Sequence, residues 1–238
     1  MEQRPPLSSD SAAVCGRFTS SQRRDQIAER FEVAVPDEYR ERYNLAPAQR
    51  ALIVRCRDDE REAVLVRWGL LPHWAKDERN SYKLINARAE TLAEKPAFRS
   101  LLGKYRCLVV ADGFYEWRLG ANGKKEPVYF QLEGGEPFAF AGLWTQRTND
   151  EGARTESCTI VTTRPNVLVA PVHDRMPVIL PRHLEHDWLE PGLSREHLLS
   201  LLEPYDASAM RASPASPLVN SIRNDGPMVL DPSASLAA

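Results

Sequence analysis

From residue 51 to residue 180 the chain is a succession of short apolar or alternating stretches cut by turn signals, and this pattern most constrains the fold. Residues 51–56 and 63–68 flank a charged segment, 57–62, and read as a hairpin. Residues 106–112 form an apolar run of the kind that a strand covered on both faces carries. Residues 114–118 continue it past Gly113. Ala121-Asn122-Gly123 marks a turn, so 127–132 is expected to return beside 114–118. Residues 137–145, 157–163 and 178–180 add further strands. No βαβ alternation and no internal repeat is present. The reading is one α+β domain over residues 15–230, with a mostly antiparallel, barrel-like β core and flanking helices.

The helical signals are fewer. Ser20 and Ser21 can cap a helix running to about Phe31, in which Ile27 and Phe31 share a face at i, i+4. Tyr43-Asn44-Leu45-Ala46-Pro47 reads as a loop, because a residue before proline is pushed out of the helical region. Residues 84–90 lead into helical sequence that Pro96 should break, and a second helix should end at Gly103. Further helical stretches fall near 183–189 and 194–202, with 217–227 loop-like. Residues 1–14 form a proline- and serine-rich leader expected to be disordered, and 231–238 a flexible tail.

At 238 residues the chain is long enough to bury a real core. Its apolar runs are too short to span a bilayer, and the leader lacks the apolar segment of a secretory signal. The formal net charge of −2 does not advertise nucleic-acid binding, although a whole-chain sum can conceal a local basic cleft. Cys15, Cys56, Cys107 and Cys158 form no CxxC pair. His183 and His186 lack a third ligand at a recognisable spacing. Neither a disulfide framework nor a zinc site is expected, and a reduced, cytoplasmic setting fits.

The chemistry centres on Cys15-Gly16-Arg17-Phe18, where the leader gives way to globular sequence. An internal cysteine offers only a thiol. A cysteine that begins a chain carries thiol and α-amine on adjacent carbons, and the pair can condense with an aldehyde, first as an imine and then as a thiazolidine ring. Glu116, in Gly113-Phe114-Tyr115-Glu116-Trp117, shares a strand face with Phe114 and Arg118. Burial there would raise its pKa and suit it to proton transfer, unless the face is exposed and Glu116 pairs with an arginine. His173 is either an imidazole oriented by Asp174 or a solvated loop histidine. Asn86 can cap a helix or hold a ligand. Pro47, Trp68 and Trp74 can stack on bases or pack in the core. Arg17, Arg88, Arg106 and Arg175 are candidate phosphate contacts or plain surface charges.

Five stretches taken together resemble one family, the SOS response-associated peptidase (SRAP) proteins. They are Cys15-Gly16-Arg17-Phe18, Asn86-Ala87-Arg88-Ala89-Glu90, Gly113-Phe114-Tyr115-Glu116-Trp117, His173-Asp174-Arg175-Met176-Pro177, and Val219-Asn220 with Asn224-Asp225-Gly226-Pro227. Tyr43-Asn44-Leu45-Ala46-Pro47 resembles the family's Tyr-Asn-x-Ala-Pro loop. The likeness runs in order from Cys15 to about Leu230. It implies a protein that senses abasic sites in single-stranded DNA and traps the open-ring aldehyde as a thiazolidine crosslink through an N-terminal cysteine. By motif match Cys15 would be the nucleophile, Asn86 would position cysteine and sugar, and Glu116 and His173 would move protons. Arg17, Arg88, Arg106 and Arg175 would hold phosphates, and Pro47 and Trp74 would wedge or stack. The implied protein is monomeric and cytoplasmic, nucleoid-associated if bacterial, with no cofactor, metal or membrane.

In the family the cysteine follows the initiator methionine directly, whereas fourteen residues precede Cys15 here. Two explanations are expected to compete: a start misassigned from a GTG codon read as Val14, or self-cleavage by the Cys15 thiol at the Val14 carbonyl. The functional alternatives left open are a thiol autopeptidase and a non-catalytic single-strand binding module.

Overall fold

The computed structural model describes residues 15–58, 60–72, 84–121, 123–148 and 151–234. In chain order these form β1 (Arg17–Ser20), α1 (Arg24–Phe31), β2 (Arg42–Leu45), β3 (Arg50–Arg57), β4 (Glu60–Trp68) and β5 (Asn86–Arg88). There follow β6 (Arg106–Ala111), β7 (Gly113–Leu119), β8 (Lys125–Leu132), β9 (Phe138–Thr148) and β10 (Arg154–Thr163). The chain ends with β11 (Met176–Pro177), β12 (Ile179–Leu180), α2 (Glu185–Leu189), α3 (Arg195–Ser200) and β13 (Met210–Pro214).

Strand β3 pairs with β4 and β6, β6 with β9, β9 with β10, and β10 returns to β4, so five strands close into a barrel. The closing contact of β10 with β4 is parallel, as is that of β10 with β5. The other pairings among the described residues are antiparallel. A second sheet runs in the order β13-β8-β7-β1-β2.

Burial explains the apolar runs. Along β3, Ala51 and Ile53 join one buried cluster while Leu52 and Val54 join another. Along β6, Cys107, Val109 and Ala111 alternate with Leu108 and Val110 in the same way. One cluster lies beneath the helices, through Ile27, Phe31, Trp188 and Leu198. The other unites the barrel with the second sheet, where Phe18 meets the Trp68 and Phe140 rings edge-on at 5.0 and 5.7 Å. With both faces covered, alternation of polar and apolar residues disappears. Barrel closure also needs Gly142. A Cβ there would stand 2.8 Å from Val109 Cγ2 and 2.9 Å from Cys107 Sγ.

Several local expectations are corrected. Ser20 and Ser21 do not cap α1. Ser20 ends β1, and Ser21 gives its amide (2.5 Å) and hydroxyl (3.0 Å) to the buried Asp112 carboxylate. Helix α1 starts at Arg24, with the Arg23 amide bonded to the Gln26 side chain at 3.1 Å. The expected loop at Tyr43–Pro47 is largely β2, with Leu45 opposite Phe18. A residue before proline is compatible with strand as well as loop. The expected helix start at 84–90 is β5, and the segment to 104 folds as a 3-10 turn (Ala89–Thr91) and successive turns. Strand β13 was not expected. It sits at a sheet edge, where Pro214 removes no needed donor. The leader, residues 235–238 of the tail and residues 73–83 lie outside the described residues.

Candidate active site around Cys15

Strand β1 lies between β2 and β7, with Arg17 opposite Tyr115 and Phe18 opposite Phe114. Following that register back brings Cys15 and Gly16 beside Glu116 and Trp117. The Cys15 N–H donates to Glu116 Oε1 at 2.6 Å, and both residues are buried, at 0% and 2% exposure. Cys15 has φ +46°, the left-handed region, which costs a non-glycine residue on the order of 1 kcal/mol. Burial, and then the neighbouring Glu116 charge, push the Cys15 thiol well above its usual pKa. Burial likewise raises the Glu116 carboxyl to about 8, partly opposed by the bond from the Cys15 amide. The exposed, arginine-paired alternative for Glu116 is not what the strand presents.

His173 faces the same carboxylate, with Nε2 4.0 Å from Glu116 Oε2, beyond hydrogen-bonding range. Its Nδ1 lies 3.1 Å from the Arg175 amide and 3.0 Å from Asp174 Oδ1. One nitrogen cannot accept from the amide and donate to the carboxylate together. Burial holds the imidazole below its usual pKa, which favours the neutral ring. Asp174, 88% exposed, is solvated in any case. The tautomer that fits accepts the amide at Nδ1 and carries its proton on Nε2, toward Glu116.

Strand β5 supplies the next residues. Asn86 lies opposite Ile160 and Arg88 opposite Thr162, on the strand β10 whose end pairs Thr163 with Met176, three residues past His173. Asn86 is therefore a strand residue and caps no helix. Arg88 is exposed. Arg175 is committed: it forms a two-pronged pair with Glu90 at 2.7 and 2.8 Å and donates to the Thr162 carbonyl at 2.7 Å.

Arg17 is half-buried. Its Nη1 donates to Asn44 Oδ1 at 2.9 Å and to the Val219 carbonyl at 2.7 Å. The Asn44 amide in turn donates to the carbonyls of Val219, Ser221 and Asn224. Asp225 accepts from the Tyr43 and Asn44 amides and pairs with Arg42. The Tyr-Asn and Asn-Asp-Gly-Pro motifs thus bind each other and hold β2 against β1. Asn44, Asp112 and Asp225 are the residues that the reading of single sites missed. For Asp112 the signal available was a polar residue at the end of an apolar run, and for Asn44 and Asp225 it was their place in the quoted motifs.

Arg106 is corrected outright. It is 4% exposed, and its guanidinium donates to the carbonyls of Trp188, Leu102 and Glu190, each at 2.6 Å. It ties α2 to the barrel and has no surface to give a phosphate. Trp68 is core, its indole N–H bonded to the Ile85 carbonyl at 3.0 Å. Pro47 is half-buried just past β2, and Trp74 lies outside the described residues.

Known proteins resemble this chain in sequence and fold. A Bacillus subtilis protein named abasic site processing protein YoqW is 45% identical over 222 residues, covering 92% of this chain and 99% of its own. Escherichia coli YedK, of the same descriptive name, is 30% identical over 227 residues, covering 92% and 100%. A crystal structure of a Bacteroides thetaiotaomicron protein superposes with a TM-score of 0.83 at 29% identity, covering 92% of this chain and all of the other. The family model described as SOS response associated peptidase matches residues 14–222. The chain belongs to the SRAP family.

Proposed function

We propose that this protein processes abasic sites in single-stranded DNA by capturing the open-ring aldehyde on Cys15. The observation that carries the reading is the 2.6 Å contact between the Cys15 nitrogen and the buried Glu116 carboxyl. With a free amine in that place, an α-amine that titrates at about 7.7–8.0 in water faces a carboxyl that burial raises from its ordinary value toward the same range. Near-matched groups exchange a proton at little cost, so Glu116 can relieve the amine of its proton and return it later.

The amine then adds to the aldehyde carbon. Glu116, with His173 on its other side, protonates the departing hydroxyl, and one water leaves as the imine forms. The thiol adds to the imine carbon and its proton passes to the imine nitrogen, closing the thiazolidine with no further loss of atoms. Asn86 would hold the sugar, Arg88 and Arg17 the flanking phosphates, and Pro47 and Trp74 an adjacent base. Arg175 would have to leave Glu90 to join them. Recognition would rest on backbone and aldehyde, because the lesion offers no base edge.

The reading requires that Cys15 begin the chain. Intact mass decides it: the full chain and a form starting at Cys15 are incubated with a single-stranded oligonucleotide carrying one abasic site. The form starting at Cys15 should gain the oligonucleotide mass less one water, and its Cys15→Ser variant should not gain it. No gain by either wild-type form would overturn the proposal.

A further inference from the structure

We propose that the cavity between the ends of β3 and β9 is a second binding site, taking a nucleobase together with its single phosphate. It encloses about 680 Å³, within the ordinary range of small-molecule sites, and Cys56, Arg57, Lys104, Tyr105 and Trp144 are among its lining residues. Trp144, Thr145 and Gln146 stand opposite Cys158, Ser157 and Glu156 near the start of β10, whereas the Cys15 site lies by its end at Thr163. The separation along the strand is on the order of 15–20 Å.

The lining is built rather than incidental. Tyr105 is 41% exposed, an unusual position for a large aromatic ring, and it is held by an edge contact to Trp144 at 5.2 Å. The Trp144 amide also donates to the Tyr105 carbonyl at 2.8 Å. Behind them the Arg55 guanidinium lies 3.9 Å over the Trp144 ring and is paired with Glu62 and Glu156, so that cation is spent. Tyr105 is the exposed ring of the pair, and a base of any sequence can stack on an exposed aromatic ring. Lys104 and Arg57 are exposed cations on the rim. Asp58, 3.9 Å from Arg57 and almost fully solvated, offsets one of them. The balance suits one phosphate rather than a di- or triphosphate. Hydroxyls of Ser100 and Thr145 and the Gln146 amide are available to base edges.

Two sources share this chemistry: a nucleotide within a bound strand, which would extend the abasic-site reading, and a free nucleoside monophosphate. Cys56 reports on both. It is partly exposed, while Cys15, Cys107 and Cys158 have no exposed surface. Iodoacetamide labelling of the folded protein, read by peptide mass, should therefore modify Cys56. An undamaged 20-nucleotide oligothymidylate or dAMP should slow that labelling at least about fivefold. Lys104→Glu, at a solvent-facing position, should remove the protection. Protection by the oligonucleotide alone assigns a strand, and protection by dAMP assigns a free nucleotide. Unchanged labelling with both probes at millimolar concentration, with no heat of binding for dAMP in calorimetry, overturns the site. Protection that survives Lys104→Glu overturns the phosphate assignment. Failure of the wild type to crosslink an abasic oligonucleotide would count against Cys15 and leave this site untouched.

Discussion

The buried Glu116 carboxyl accepts the Cys15 N–H, and its titration makes stability depend on pH. A glutamate titrates near 4.3 in the unfolded chain and near 8 in the fold, because burial disfavours its charge. Between those values the folded state binds one proton more than the unfolded state, so stability falls as pH rises, by at most about 1.4 kcal/mol per pH unit. Outside that window Glu116 contributes no slope. Glu116→Gln should flatten the fall, seen as melting temperature against pH for the two proteins side by side. In a chain starting at Cys15 the ammonium offsets the burial, and the wild-type slope should be shallower than in the full chain. The same variant should crosslink an abasic oligonucleotide about 100-fold more slowly or worse, since it cannot carry the proton. Crosslinking at the wild-type rate would remove Glu116 from the chemistry. Arg106 makes the opposite case. Arg106→Met strands three buried carbonyls and should cost about 3 kcal/mol in urea unfolding. Affinity of the folded variant for undamaged single-stranded DNA should stay within about twofold of wild type. In the sequence Arg88 and Arg106 look alike. What separates them is whether carbonyls from residues 102, 188 and 190 close over the guanidinium, a tertiary fact with no local signature.

At the scale of elements, the placement of β1 decides whether a site exists. It carries Cys15 to Glu116 only because β2 holds its other edge, and β2 is held by Asp225 from the far end of the chain. Asp225→Ala removes the acceptor for the Tyr43 and Asn44 amides and the partner of Arg42. Hydrogen exchange at those two amides should accelerate at least tenfold, while β6 and β9 amides in the barrel stay protected. Uniform acceleration would mean that the two sheets open as one unit. The strands themselves were legible because alternation and turn residues are local: the hairpins β3–β4 and β7–β8 fall where 57–62 and Ala121-Asn122-Gly123 place them. The parallel closure of β4 on β10 was not, because two strands about ninety residues apart leave no trace of their register in either. The strand placement of Asn86, read as a helix cap or a ligand-holding amide, was hidden for the same reason, since its pairing with Ile160 overrides the propensity of 84–90. For Glu116 the aromatic neighbours made a buried carboxyl one of two open readings, beside an exposed, arginine-paired one. Its partner, 101 residues away, came from the family's motif order and not from physical chemistry.

For the whole molecule the question is how a chain of net charge −2 holds a polyanion. Of the four candidate arginines, Arg106 is sealed in the core and Arg175 is neutralised by Glu90, which leaves Arg88 and part of Arg17, with Lys125 near Glu116, to meet phosphates among the described residues. With about two or three phosphates engaged, the affinity for undamaged single strands should fall with a log–log salt slope of roughly −1.4 to −2. Raising salt from about 50 to 500 mM would then weaken binding some 25- to 100-fold. A thiazolidine has no such dependence. Added before an abasic oligonucleotide, high salt should slow crosslinking in step with the lost encounter affinity. Added afterwards, it should release nothing, even with denaturant. Gel shift under native conditions and denaturing electrophoresis of the same samples separate the two regimes. Loss of the adduct in salt would reduce the protein to an electrostatic binder. A slope steeper than about −4 would show a basic surface far larger than the exposed arginines around Cys15 provide.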